Sequence, residues 1–372
     1  MISRTRQTVA HRRVPEPPQA EGRGSEAAAW AKVDAYGGAA ARADPIGLFT
    51  PLPSLSAAGL AGPVPPVTWQ NPILPVSAPD PGVLKDGDDY YAVATGGDKE
   101  GAFIIRHSTD LVHWEKVGDI FPNGKGPRWA SGSFWAPEIH KVGERFVAYF
   151  TAKDAQSGKL CVGAAVADTP QGPFVDVGQP LVQKPGMGVI DPNFFRDPQT
   201  GKQYLIWKDD GNGATPASAT PLWIQELSAD GLTRLGEPKA LLRNDLPWEG
   251  NLVEGPWMTY HDGFYYLFYS ANAYYDARYA VGVARSRSPW GPFEKKGPPI
   301  LASNEAFTGP GHGSVVQGPD GNDYFVYHAW AAGKENQQPG RRMMLDVLHW
   351  GVDGWPVIND GTPSSGPMSS AP

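Results

Sequence analysis

The chain has 372 residues, enough for one large domain or two ordinary ones, and only 19% of them are charged. Its 45 glycines, 38 prolines, 13 tryptophans, 14 tyrosines and 14 phenylalanines suit a fold of strands and turns rather than helices. A formal charge of −7 without a dense basic stripe argues against nucleic acid as a partner, no apolar run can span a bilayer, and a lone cysteine, Cys161, excludes an internal disulfide and a thiolate metal cluster.

Residues 1–66 are polar, rich in Ala, Pro and Gly, and without strand periodicity, so a disordered N-terminal tail is expected there. Within and just past it, GLFTPLPSLSAAGLAGPVPPV (residues 47–67) is mildly apolar but broken by prolines, and it lacks the charged-then-apolar layout of an export signal. The reading leans towards export on function alone and leaves a cytoplasmic place open. From residue 67 to 360 one grammar recurs. It appears as DPGVLKDGDDYYAVA from Asp80, APEIHKVGERFVAYF from Ala136, DPNFFRDPQTGKQYLIW from Asp191, EGPWMTYHDGFYYLFYS from Glu254 and HGSVVQGPDGNDYFVYHAW from His312. Each is a short apolar strand, a Gly-containing turn and a second strand, with further alternating pairs such as LCVGAAVADTPQGPFVDVG between them. Residues 361–372 are expected as a flexible C-terminal tail.

A repeat near 60 residues with about four antiparallel strands per unit predicts an all-β, five-bladed β-propeller. A solenoid has shorter, usually parallel repeats, and a β-sandwich would not explain the period. In a propeller, corresponding positions lie at corresponding places around the axis. The residues opening the inner strands, Asp80, Ala136, Asp191, Glu254 and His312, are therefore expected to face one funnel. A single carboxylate at a strand start is ordinarily a turn or a solvated edge. Three at one repeat position are not a packing choice, because repulsion and desolvation both oppose them. Such crowding suits chemistry that needs carboxyl pKa values pushed apart. Hydrolysis of a glycosidic bond is one such reaction, with an acid protonating the leaving oxygen and a carboxylate acting opposite it. Trp135, beside the second channel position, is a candidate wall on which a sugar ring stacks, although most of the tryptophans read as core.

The set NPILP, APDPGVLKDGDDYYA, WAPEIH, DPNFF, EGPW and GHGSVV, in this order and spacing from Asn71 to Trp355, resembles glycoside hydrolase family 43. The resemblance implies an inverting hydrolase of arabinose- or xylose-containing carbohydrates such as arabinan, arabinoxylan and xylo-oligosaccharides. It implies Asp80 as general base, Asp191 as modulator and orienter, and Glu254 as general acid, with Asp191 expected to raise the Glu254 pKa by repulsion. It further implies His312 at the channel centre, where a calcium or sodium ion can be held through water, and Arg341 reaching sugar hydroxyls. No cofactor is required.

The same residues admit other readings. Arg196-Asp197-Pro198 resembles a motif of retaining fructan-cleaving propellers, but DPQTG is also a good turn and Asp197 falls where other units have their hairpins. Glu138 could line the funnel lower down or pair with an arginine, with a structural role favoured, and His140 and His328 are expected to pack or hydrogen-bond within blades. The stretches ANAYYDARYA and KDDGNGATPASATP read as rim loops, which favours exo action on chain ends over endo-arabinanase action. A non-catalytic sugar-binding propeller is the alternative outside the enzymes. The sequence specifies no oligomeric state.

Overall fold

Turn signals in the sequence become hairpins. Asp262 and Gly263 connect the pair His261 and Phe264 with φ of 43° and 80°, the two positive values that a two-residue type I′ turn demands. A computed structural model describes residues 66–97, 101–123 and 126–370. The expected tail over 1–66 and the segment weighed for export lie outside these residues, apart from Pro66 and Val67.

Five antiparallel sheets follow one another along the described chain. Blade one comprises Gly82–Asp86, Asp89–Val93, Gly101–Ser108 and Glu115–Pro122. Blade two comprises Trp135–Val142, Arg145–Lys153, Leu160–Ala167 and Val175–Asp176. Blade three comprises Val189–Arg196, Gln203–Asp209, Leu222–Leu227 and Arg234–Leu242. Blade four comprises Val253–His261, Phe264–Ala271, Ala280–Ser286 and Glu294–Lys295. Blade five comprises Phe307–Gln317, Asp323–Ala331 and Arg342–Trp350, and its outer edge pairs with both Leu74–Ser77 and Pro356–Ile358. Each first strand packs on the first strand of the next blade, and the fifth on the first, which closes a five-bladed propeller.

The core is accordingly divided into five layers, one between each pair of neighbours. Phe103, Phe121 and Phe150 fill the layer between blades one and two, Tyr149 and Phe194 stack between blades two and three, and Phe268 stacks on Phe325 between blades four and five. Sheets buried on both faces read as near-continuous apolar runs, which explains strands such as RFVAYFTA (residues 145–152) and FYYLFYSA (residues 264–271).

Closure draws on both flanks of the repeat. Leu74–Ser77 joins the edge of blade five, and Thr68–Trp69 pairs with Met368–Ser369. Asn71 ties the junction: its Oδ1 accepts the Leu345 N–H at 2.8 Å, and its Nδ2 donates to the Leu345 carbonyl at 3.0 Å and to Ser364 Oγ at 2.9 Å. Ser364 is buried. The expected flexible tail from residue 361 is thus corrected as far as residue 370: strand pairing and the Asn71 junction hold it, while residues 371–372 lie outside the described chain.

Candidate functional site

A shared backbone distortion lies at the start of the innermost strand of the blades. In blades two to five the register slips by a bulge, between Trp135 and Glu138, Ile190 and Asn193, Glu254 and Trp257, and Gly311 and Ser314. The bulge residues are Ala136, Asp191, Gly255 and His312, with φ of 41°, 56°, 56° and 44°, and Asp80 matches them in blade one at 56°. Left-handed backbone at a non-glycine residue costs roughly 1–3 kcal/mol, so its repetition around one axis marks a constraint shared by all blades.

This geometry corrects the expected alignment. Asp80 and Asp191 share the bulge position, but Glu254 lies one residue ahead of it, and the equivalent in blade four is Gly255. Glycine is required there on two counts: the positive φ, and a Cβ that would stand 2.8 Å from the His312 ring. Glu254 is instead equivalent to Trp135, which is 39% exposed and lines the same funnel.

A second rule links the blades. The N–H at each of these distorted positions is satisfied by a side chain, normally from one position near or just past the end of the second strand of the preceding blade. Ala136 donates to Thr95 Oγ1 at 2.7 Å, Asp191 to Thr151 Oγ1 at 3.0 Å, His312 to Ser270 Oγ at 2.7 Å, and Asp80 to His328 Nδ1 at 3.1 Å. In blade three that position holds Lys208, which has no acceptor. The Gly255 N–H turns to Asp191 Oδ2 at 3.0 Å, and the Lys208 ammonium donates to Glu254 Oε2 at 2.9 Å.

The three carboxylates thus sit together at the floor of a funnel of about 1360 Å3, each buried and each held differently. Asp80 Oδ1 is 2.7 Å from Arg341 Nη1, 3.4 Å from His312 Nδ1 and 3.2 Å from His328 Nδ1, and Oδ2 accepts the Thr95 hydroxyl at 2.6 Å. Burial alone would raise this carboxyl; Arg341, His312 and His328 outweigh it and hold it well below the ordinary carboxylate range. Burial, with Arg341 opposing protonation, keeps the His328 imidazole down at about 4. Burial pushes Asp191 up to about 6, the Glu254 charge adding to the rise and His312 and Lys208 opposing it. Burial would raise Glu254 as well, but the Lys208 charge and hydrogen bond, with His312 and the Tyr279 hydroxyl, bring it below its ordinary value. The expectation that Asp191 lifts Glu254 is therefore reversed in the free protein. Lys208 stabilises the Glu254 carboxylate, and Asp191 is the carboxyl that keeps a proton into mildly acidic pH.

Three residues of this floor carry no expectation from the sequence: Thr95, Lys208 and Tyr279. Tyr279 donates to Glu254 Oε1 at 2.9 Å and stacks on His328 with centroids 5.7 Å apart, connecting the Glu254 and Asp80 surroundings. His328, expected to pack or hydrogen-bond within its own blade, instead accepts the Asp80 N–H of blade one. The signal available was a polar residue recurring near the end of each second strand, where Thr95, Thr151, Lys208, Ser270 and His328 interrupt or end apolar runs. His140 does stay within the fold, 2.7 Å from Glu138 Oε2, and Glu138 takes the Asn193 amide and Phe194 N–H rather than an arginine. The Asp197 carboxylate is consumed by its turn, accepting from the Gln199 N–H, Thr200 and Tyr265.

The rim is built from segments 210–219, 243–252 and 272–278, matching both expected rim loops. The last is pinned to blade five: the Tyr274 carbonyl accepts the Trp330 indole at 2.8 Å, and the Arg341 guanidinium lies 4.4 Å from the Tyr274 ring centroid. Among the described residues no three of His, Cys, Asp or Glu are grouped to hold a metal directly. With the carboxylates taken by Arg341, Lys208, Tyr279, Thr95 and the Gly255 N–H, the floor does not fit a directly ligated cation, and no chemical step is assigned to one.

Known proteins share this arrangement of sequence and fold. The sequence model of Glycosyl hydrolases family 43 matches residues 69–356. Xylosidase/arabinosidase 43B of Humicola insolens is 30% identical over 314 residues, covering 78% of this chain and 55% of that protein. Xylosidase/arabinosidase of Butyrivibrio fibrisolvens is 30% identical over 312 residues, covering 79% and 57%. Among solved structures, a thermostable family-43 glycoside hydrolase superposes with a TM-score of 0.71 at 30% identity, covering 80% of this chain and 98% of its own. The chain spans about half the length of the two curated relatives.

Proposed function

Since the chain belongs to glycosyl hydrolases family 43, we propose that it hydrolyses O-glycosidic bonds with inversion, releasing arabinofuranosyl or xylosyl units from the ends of arabinan, arabinoxylan or xylo-oligosaccharides. The observation that carries this reading is the division of labour on the funnel floor. Asp80 is kept ionised with Arg341 against it, while burial and the nearby Glu254 charge raise Asp191, and Lys208 lowers Glu254. Asp80 acts as general base and takes a proton from water as that water attacks the anomeric carbon. Glu254 acts as general acid and delivers its proton to the departing oxygen in the same displacement. Asp191, by accepting the Gly255 N–H, fixes the backbone that presents Glu254, and its charge, once ionised, favours the protonated form of Glu254.

Trp135 and Tyr274, both exposed at the funnel, offer flat faces to sugar rings. Arg341 and His312 reach the funnel beside Asp80, where ring hydroxyls of the cleaved sugar would lie. The pinned 272–278 loop supports exo action, because it walls one side of the mouth. A calcium or sodium ion in the channel would meet His312 through water.

Proton NMR of the first products from aryl α-L-arabinofuranosides and β-D-xylosides tests the reading, with the inverted anomer expected. Glu254→Ala should lower kcat by about 10²–10⁴-fold on substrates with poor leaving groups and far less on activated aryl glycosides. Initial retention of configuration, or binding of these sugars without turnover, would overturn the proposal. A product profile on linear arabinan separates exo from endo action.

A further inference from the structure

Lys208 is the exception in an otherwise uniform ring. Four blades use the second-strand position to accept the next blade's bulge N–H, and Thr or Ser suffices in three of them. Blade three gives up that function, hands the Gly255 N–H to Asp191, and buries a lysine completely in its place. Burying an ammonium is costly unless it is paired, and its nearest partner is Glu254 Oε2 at 2.9 Å, with Asp210 Oδ1 at 3.8 Å. The fold therefore gains nothing from a lysine that a threonine would not supply. What the lysine adds is a fixed positive charge against one oxygen of one carboxylate.

We propose that Lys208 is a positioning residue for Glu254: it orients the carboxyl towards the scissile oxygen and neutralises the charge that Glu254 acquires on giving up its proton. This rests on the acid role proposed above. A charge fixed at Oε2 makes Glu254 a stronger acid at the moment of transfer and lowers the fraction protonated beforehand. The protein thus exchanges occupancy of the acid form for driving force, a choice that favours poor leaving groups and acidic working pH.

The groups facing Glu254 come from several blades: Lys208 and Asp191 from blade three, Tyr279 from its own blade, and His312 from blade five. Asp80 acts on the same set from blade one through Asp191 and Tyr279. Lys208 is the one among them that hydrogen-bonds Glu254 while carrying a permanent positive charge, since Glu254 and Asp191 keep its ammonium protonated against burial.

Two variants test it. Lys208→Gln keeps an N–H donor without charge, and Lys208→Thr installs the residue that blades one and two use at this position. In either, the alkaline limb of kcat/KM is expected to move up by about one to three pH units. The loss in kcat should be larger for unactivated oligosaccharides than for aryl glycosides. In a Glu254→Gln background, the same Lys208 substitutions should change kcat by less than about twofold, because the pair acts as a unit. Carbon-13 NMR titration of the Glu254 carboxyl gives a readout independent of turnover, and its midpoint should rise in both variants. An unmoved midpoint in a folded variant, or equal rate losses with and without Glu254, would overturn the proposal. If no glycoside is turned over by the wild-type protein, the acid role fails while the titration still decides whether Lys208 sets this carboxyl.

Discussion

Burial pushes the Asp191 carboxyl up to about 6 in the folded protein, against 3.8 for an exposed aspartate. Below 3.8 it is protonated in both states and costs nothing. As pH rises towards 6 the unfolded chain ionises first, so folded stability falls across that window and stays lowered above it. Asp191→Asn, which can still accept the Gly255 N–H, should therefore be more stable than the wild type at pH 7 by roughly 3 kcal/mol. The gain should shrink to under about 1 kcal/mol at pH 4, as urea titrations at the two pH values would show, and activity should be lost. At this scale the sequence revealed the acids and hid their counterparts. Asp80, Asp191 and Glu254 stand out because a carboxylate beside Pro or Gly opens an apolar strand. Lys208 ends a strand like many surface lysines, and the partner that makes it functional is 46 residues later. Burial, not residue type, distinguishes it, and burial is a property of the closed ring.

Among the elements, the bulged inner strand and the polar position behind it do most to assemble the floor. Thr95 shows the coupling: its hydroxyl accepts the Ala136 N–H and donates to Asp80 Oδ2, so one side chain links the backbone of blade two to the base of blade one. Thr95→Val should cost about 1–3 kcal/mol by leaving a buried N–H without a partner. It should also move the acidic limb of kcat/KM upward, because the charged form of Asp80 loses a donor. A limb that stayed in place in the folded variant would show that Arg341 and the two histidines alone set the base. The turns and the period of these strands were readable from Gly-containing hairpins and alternating apolar runs. The single-residue offset of Glu254 was not. A bulge inserts a residue without changing the apolar pattern around it, and only the Gly255-Pro256 pair, set beside Asp80-Pro81, Ala136-Pro137 and Asp191-Pro192, marks the true alignment.

The whole molecule is a ring fastened at one seam. Leu74–Ser77 is short and largely exposed, so nothing local announces it as a strand, and its partner Arg342–Trp350 lies at the opposite end of the repeat. Asn71 and Ser364 complete that seam. Asn71→Ala, which removes an acceptor from the Leu345 N–H and donors from Leu345 and Ser364, should destabilise the protein by about 2–4 kcal/mol in chemical denaturation. Because Asn71 does not line the funnel, kcat per folded molecule should not change. A loss of kcat without a loss of stability would mean that the seam communicates with the floor.

The same seam has a temporal consequence. Blades one to four each form from neighbouring strands, so a growing chain can complete them one after another. The first described strands cannot settle until the last blade exists to receive them. Between formation of that blade and the docking, the Arg342–Met343 end of its outer edge presents unpaired N–H and C=O groups, while Pro356–Ile358 covers the other end; such an edge recruits strands from other chains. Assembly should therefore end with a long-range docking event, and the interval before it is when a concentrated solution of this protein is most exposed to self-association.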